Sequence, residues 1–221
     1  MTENNITIRR IWIGIKSVST GVGQVMFQQS AITGLIFLCG IFWGSYECGT
    51  PQVAWGALAG TIAATLAAFP VNTGCSEGRS GLWGFNGTLV GCAFPTFFAP
   101  TVFMWCSLVL CAVLSTWVRA GMNNVLGKFH INSLTFPFVL LTWIFLLASR
   151  VMDSLIPLNA AAPVSSPDGF SMASLAIYWL KGISQVFLIN SWITGILFLI
   201  GLAVCSRMAA AWAMAGSAIG I

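Results

Sequence analysis

Within the stretch Gly78-Arg79-Ser80-Gly81-Leu82-Trp83-Gly84-Phe85-Asn86-Gly87-Thr88-Leu89-Val90-Gly91, glycine recurs at three- and four-residue steps. On an α-helix the residues Gly81, Gly84, Gly87 and Gly91 form a strip without side chains along one face. Another backbone can approach such a strip closely, so the spacing predicts a tight helix-packing face. Phe85 and Leu89, four apart, share a different face. Asn86 brings an amide into an apolar run, which is costly unless the amide is hydrogen-bonded.

The flanks of this stretch place the chain in a lipid bilayer. Of its 221 residues 57% are hydrophobic and 6% charged. Soluble domains carry about 25% charged residues. A chain this poor in charge cannot cover a water-facing surface, and its mean hydropathy is +0.90. The net charge of +4 comes from scattered single basic residues, so it carries no nucleic-acid signal. No cleavable signal peptide is evident in the first thirty residues. The seven cysteines include no CxxC pair, and His130 is the only histidine, so the sequence points to no metal or other cofactor.

Taken in order, residues 1–17 read as a polar, basic aqueous arm. Residues 18–29 are apolar but too short to span a bilayer, and read as a re-entrant half-helix. Five longer apolar segments follow, at 31–46, 52–70, 81–99, 101–118 and 132–149, each near membrane-spanning length. Pro70, Pro95 and Pro100 mark ends or kinks. Residues 151–173, with Pro157, Pro163, Pro167, Asp153 and Asp168, read as an extracytoplasmic linker. A cytoplasmic N-terminus puts Arg9, Arg10, Lys16, Arg79, Arg119 and Lys128 inside, and Arg150 and Lys181 outside, in keeping with the positive-inside bias.

An internal repeat sets the expected architecture. At an offset of 161, Gln24, Val25, Ser30, Ile32, Thr33, Gly34, Phe37, Leu38 and Gly40 meet Gln185, Val186, Ser191, Ile193, Thr194, Gly195, Phe198, Leu199 and Gly201. These are nine identities in eighteen ungapped positions. Five spans between the copies make the second inverted, an arrangement of channels and transporters whose solute site lies at the repeat interface. After Gly201 the copies slip by about five residues, and Ala59-Gly60 then resembles Ala215-Gly216. The expected fold is an all-α polytopic membrane protein. It has a first repeat at 18–150 of five spans plus the half-helix, and an incomplete second repeat starting at 174–221.

The run Leu82-Trp83-Gly84-Phe85-Asn86-Gly87-Thr88-Leu89-Val90-Gly91 resembles the signature of the urea transporter family. The likeness extends over 22–40, 81–91, 132–145 and 178–201. It implies channel-like, passive permeation of urea through a multi-pass protein of the cell (inner or plasma) membrane. It further implies a homotrimer with one pore per protomer, between two inverted halves. Carbonyl and hydroxyl oxygens would line one side of that pore, and apolar side chains would flatten the others into a slot.

Urea is planar and neutral, with four N–H donors and one carbonyl. A pore for it should present acceptors in a plane, apolar walls and no fixed charge. By the resemblance, Gln24 begins the first short helix and its amide serves one end of the oxygen ladder, with Gln185 as its repeat partner. Val25 and Phe27 line one mouth, and Val186 and Leu188 the other. Phe85 and Leu89 close the slot. Thr135, in Asn132-Ser133-Leu134-Thr135-Phe136-Pro137-Phe138, resembles the family's Thr-x-Pro-Phe entry to a half-helix, and its hydroxyl serves the narrow centre.

Other functions fit less well. An ammonium channel normally needs paired pore histidines, an aquaporin two Asn-Pro-Ala boxes, and a proton-coupled transporter buried acids or histidines. A membrane enzyme would need a nucleophile–base set or a metal cluster. A non-conducting accessory or truncated subunit, or a channel for another small neutral or ammonium-like solute, remains the alternative.

Overall fold

The computed structural model describes residues 3–71, 80–158 and 171–220, with side chains from residue 12 onward. Cys75, Glu77, Gly78, Arg79 and the middle of the linker, with Pro163, Pro167 and Asp168, lie outside the described residues.

The described residues are helical, in the order α1 (Glu3–Gln24), α2 (Ala31–Glu47), α3 (Pro51–Leu66), α4 (Phe85–Phe97), α5 (Val102–Leu126), α6 (Phe136–Ala148), α7 (Met172–Ser184), α8 (Trp192–Cys205) and α9 (Arg207–Ile219). Large apolar side chains such as Ile32, Trp43, Trp55, Val109, Leu110, Trp143, Leu147 and Ile200 point outward. Such a surface suits lipid, and the chain is a membrane protein.

Two expectations about the elements change. The arm 1–17 and the half-helix 18–29 are not separate, because α1 runs unbroken from Glu3 to Gln24. No proline interrupts this stretch, and Ile, Arg and Lys propagate a helix without difficulty. The helix ends where Gly23 and Gln24 enter a tight turn: Met26 N–H and Gln28 N–H both donate to the Gly23 carbonyl. Gln24 therefore closes a helix and does not begin one.

The second change concerns the five spans. Among the described residues two stretches qualify by length and apolarity, Pro51–Val71 and Val102–Phe129. Helices α4 and α6 have 13 residues each, about 20 Å, against the roughly 30 Å of a bilayer core. Both begin late for the same reason. The residues ahead of them, 80–84 and 134–135, make turns, with positive φ at Gly81 and at Leu134. Helices α7 and α8 form a bent pair, folded back by 72° across residues 188–191.

The glycine strip finds a backbone. Gly87 lies against the Gly60 carbonyl and Gly91 against the Gly56 carbonyl, so α4 and α3 meet without side chains between them. Thr61 and Thr88 share a hydrogen bond across this seam at 2.7 Å. Pro95 sits inside α4 and does not end it.

The two repeat copies touch each other reciprocally. Thr33 Oγ1 donates to the Gly201 carbonyl at 3.0 Å, and Thr194 Oγ1 to the Gly40 carbonyl at 2.9 Å. Phe37 and Phe198 meet edge to face at 5.1 Å. Each ring lies where a Cβ on the partner's glycine would stand, Phe198 over Gly40 and Phe37 over Gly201. Within each copy the same approach recurs: Gly34 packs on the Ser19 carbonyl and Gly195 on the Leu180 carbonyl. Ser30 and Ser191 each accept the N–H three residues on, capping α2 and α8. Thr33→Val removes a buried hydrogen bond between the copies, and is expected to cost about 0.5–1.5 kcal/mol. Thr194→Val should cost the same, read as matched drops in the thermal midpoint of purified protein.

Candidate functional site

The candidate site forms where α1 ends, α4 begins and the turn Gln185–Phe187 closes α7. Val25, Phe85 and Leu89 lie together in one buried cluster with Val22, Ile183 and Phe187. Phe85 and Leu89 thus face protein and not lipid. Gln24 is half-buried, and its Nε2 donates to the Ser80 carbonyl at 2.7 Å. Its Oε1 meets no donor among the described residues. This bond ties the end of α1 to the entry of the glycine strip.

The paired turns have matching backbones. Phe27 and Leu188, equivalent at the offset of 161, both have φ 59°. Each occupies the left-handed region, which is uncommon for residues with a Cβ and marks a demanded turn. Their side chains are exposed, Phe27 at 70% and Leu188 at 39%, and neither joins the cluster with Phe85 and Leu89. Gln185 and Val186 are also exposed, along a groove that Met26 shares. Phe187, between Val186 and Leu188, is the residue this turn sends into the core, where its ring lies 6.0 Å from Phe37.

Thr135 is half-buried at the start of α6, and its hydroxyl caps nothing. Pro137 stands in the first turn of that helix, where a missing N–H costs least. Asn86 secures the position of this helix start. Its Nδ2 donates to the Leu134 carbonyl at 3.2 Å, and its Oδ1 accepts from Phe138 N–H at 3.3 Å. The amide that seemed costly in α4 therefore caps α6 from outside. Thr142, two turns beyond Thr135 and on the same face, is buried, and its hydroxyl has no partner among the described residues.

Arg119 is a further residue that sequence reasoning placed elsewhere. It does not lie in an aqueous connection. Helix α5 continues to Leu126, and Arg119 is buried within it. Its guanidinium stands 4.7 Å from the Trp83 ring centre and 5.9 Å from that of Phe85. A cation over aromatic faces in a low-dielectric region is favourable, and here it braces the Phe85 wall from behind. The signal in the sequence was Trp83-x-Phe85 followed by an arginine deep in an apolar run, legible only once the rings and the cation were adjacent.

The arrangement has apolar walls, a few uncharged acceptors in Gln24 and the α6 hydroxyls, and a cation held behind one wall. Apolar side chains with a few uncharged acceptors are the chemistry that a small neutral polar solute needs. Residues 15–221 match the family model described as urea transporter. The chain belongs to the urea transporter family. Proteins similar to it include Urea transporter 1 of Ovis aries, 28% identical over 213 residues, which are 92% of this chain and 54% of that protein. Urea transporter 1 of Mus musculus is 27% identical over 212 residues, 91% of this chain and 53% of that protein. The chain thus spans about half the length of the curated urea transporters it matches. The match includes both turns, the glycine strip and the start of α6, the parts from which the candidate site is built.

Proposed function

We propose that the protein is a channel-like, passive passage for urea across the cell membrane. The solute slot runs between two inverted-repeat halves, 18–150 and the copy that begins at 174, joined by the linker 151–173. Phe85, Leu89 and Val25 flatten it, and Gln24 and Thr135 supply acceptors for the urea N–H groups. Gln185, Val186 and Leu188 serve the opposite mouth, and Phe27 stands at the first. The protein works as a homotrimer in the inner or plasma membrane with its N-terminus in the cytoplasm, and residues 12–17 continue α1 toward that side.

The observation that carries this reading is the reciprocal contact of the repeat copies. Thr33 to Gly201 and Thr194 to Gly40 are the same bond made in both directions, as a two-fold relation between α2 and α8 requires. Beside that seam lie the paired turns and the buried Phe85–Leu89 wall.

Urea efflux from membrane vesicles containing the protein, followed by light scattering, tests it. Permeability should exceed that of vesicles without the protein. Thr135→Val should lower it by about tenfold, since the shape stays and an acceptor is lost, worth about 1–3 kcal/mol. Equal permeability of wild type and Thr135→Val at equal expression overturns the role of the hydroxyl. Efflux no faster than in control vesicles overturns the urea reading.

A further inference from the structure

Arg119 lies outside the set of side chains proposed to meet the solute, yet the fold fixes it against one of them. The residues just before it tie α5 to α3. Thr116 Oγ1 donates to the Ala64 carbonyl and Trp117 Nε1 to the Ala67 carbonyl, each at 3.0 Å. The rings that Arg119 meets take their place from the same helix. Between Trp83 and Phe85, a Cβ on Gly84 would stand 2.9 Å from the Thr65 hydroxyl oxygen and 3.0 Å from the Thr61 methyl. The cation and the chain that carries both rings are thus set down on one surface.

All three side chains are buried, Trp83 to 4% exposure and Phe85 and Arg119 to 6% each. The guanidinium stands 4.7 Å from the Trp83 ring centre and 5.9 Å from that of Phe85. A cation within about 6 Å is drawn to the face of a ring, and more strongly where water is excluded. The attraction depends on tilt, because a ring is negative on its face and positive at its edge. A guanidinium fixed on α5 therefore favours one orientation of the Phe85 ring. Val25 and Leu89, in the cluster that Phe85 shares, fill space around the ring, but apolar contact is non-directional.

We propose that Arg119 is a positioning residue for the Phe85 ring, and that through this ring it sets the width of the solute slot and its discrimination between urea and N-substituted ureas. The inference rests on the reading of Phe85 as a slot wall. A ring released from the cation gains other tilts, and some of them admit a methyl group that the held ring excludes.

Efflux of urea and of N-methylurea from vesicles containing the full chain, compared for wild type, Arg119→Met and Arg119→Lys, tests it. Methionine fills much of the same space without charge. In Arg119→Met the ratio of N-methylurea to urea permeability should rise about fivefold, the factor that a desolvated cation–π contact is worth. Lysine keeps the charge but loses the flat guanidinium that stacks on a ring, so Arg119→Lys should raise the ratio less. An arginine that only stabilises the fold would lower both permeabilities together. A ratio unchanged in whichever variant folds overturns the proposal. In a Phe85→Leu background the Arg119 changes should leave the ratio where Phe85→Leu alone puts it, and a further rise there overturns the route through the ring.

A fluorine resonance from 4-fluorophenylalanine at position 85 reads the ring without transport. It should be single in the otherwise wild-type chain and should shift or split in the Arg119 variants. A resonance that stays the same overturns the positioning role. Urea efflux no faster than in control vesicles overturns the slot reading and the selectivity with it, whereas urea efflux with an unchanged ratio overturns this inference alone.

Discussion

Gly91→Ala is expected to leave little folded protein, whereas Gly121→Ala is expected to be harmless or slightly stabilising. A Cβ at position 91 would fall on the Gly56 carbonyl, and one at 56 on the Gly91 carbonyl, so neither backbone can yield to the other. The same holds one turn away for Gly87 and Gly60. Separating α3 from α4 to admit one methyl would loosen the whole seam, including the Thr61–Thr88 bond. Overpacking a close-packed interior costs about 1–3 kcal/mol and more where backbone is the obstacle. Gly121 is exposed in α5 with nothing within 4 Å, where alanine gains about 0.8–1 kcal/mol of helix propensity. Thermal unfolding of the purified variants, with the monodisperse fraction after size exclusion, checks both. Equal midpoints for Gly91→Ala and wild type would show that the seam is not tight.

Asn86→Leu is expected to remove both stability and transport. The side chain is 1% exposed and holds Leu134 and Phe138 at once. Leucine fills the space but leaves a carbonyl and an N–H without partners, at about 1–3 kcal/mol each. The larger consequence is positional. Thr135 lies between the two residues that Asn86 holds, so freeing the start of α6 shifts the hydroxyl relative to Phe85. Urea permeability should fall at least as far as in Thr135→Val, and the thermal midpoint should drop, which Thr135→Val should not cause. A variant that loses stability but keeps its urea permeability per folded protein would separate the cap from the solute path.

These two residues show how sequence and structure divide the information. The glycine steps at 81–91 were legible because helical periodicity and the absence of a side chain are local properties. The need of Asn86 for a partner was legible too, since an amide in an apolar run must be satisfied. Its partners were not, because residues 134 and 138 lie 48 and 52 positions away. The short lengths of α4 and α6 were also hidden. Residues 80–84 and 132–135 carry no charge that would end a span, and only the backbone they adopt reveals that they lie outside the helices. Arg119 was misplaced by a segment end drawn at 118, when tertiary burial over Trp83 lets the helix carry a cation further.

The amino-acid sequence by itself determined residence in a membrane, the helical class, the identities at an offset of 161 and the family, because hydropathy, spacing and order are written along one chain. Only the tertiary structure decided which backbone meets the glycine strip, that Phe187 and not Leu188 enters the core, and that Gln24 ends a helix. Only it showed that the repeat copies bond each other through Thr33 and Thr194. Each of those outcomes depends on which surfaces, distant in sequence, can approach closely enough to exclude side chains or lipid, and packing alone selects them.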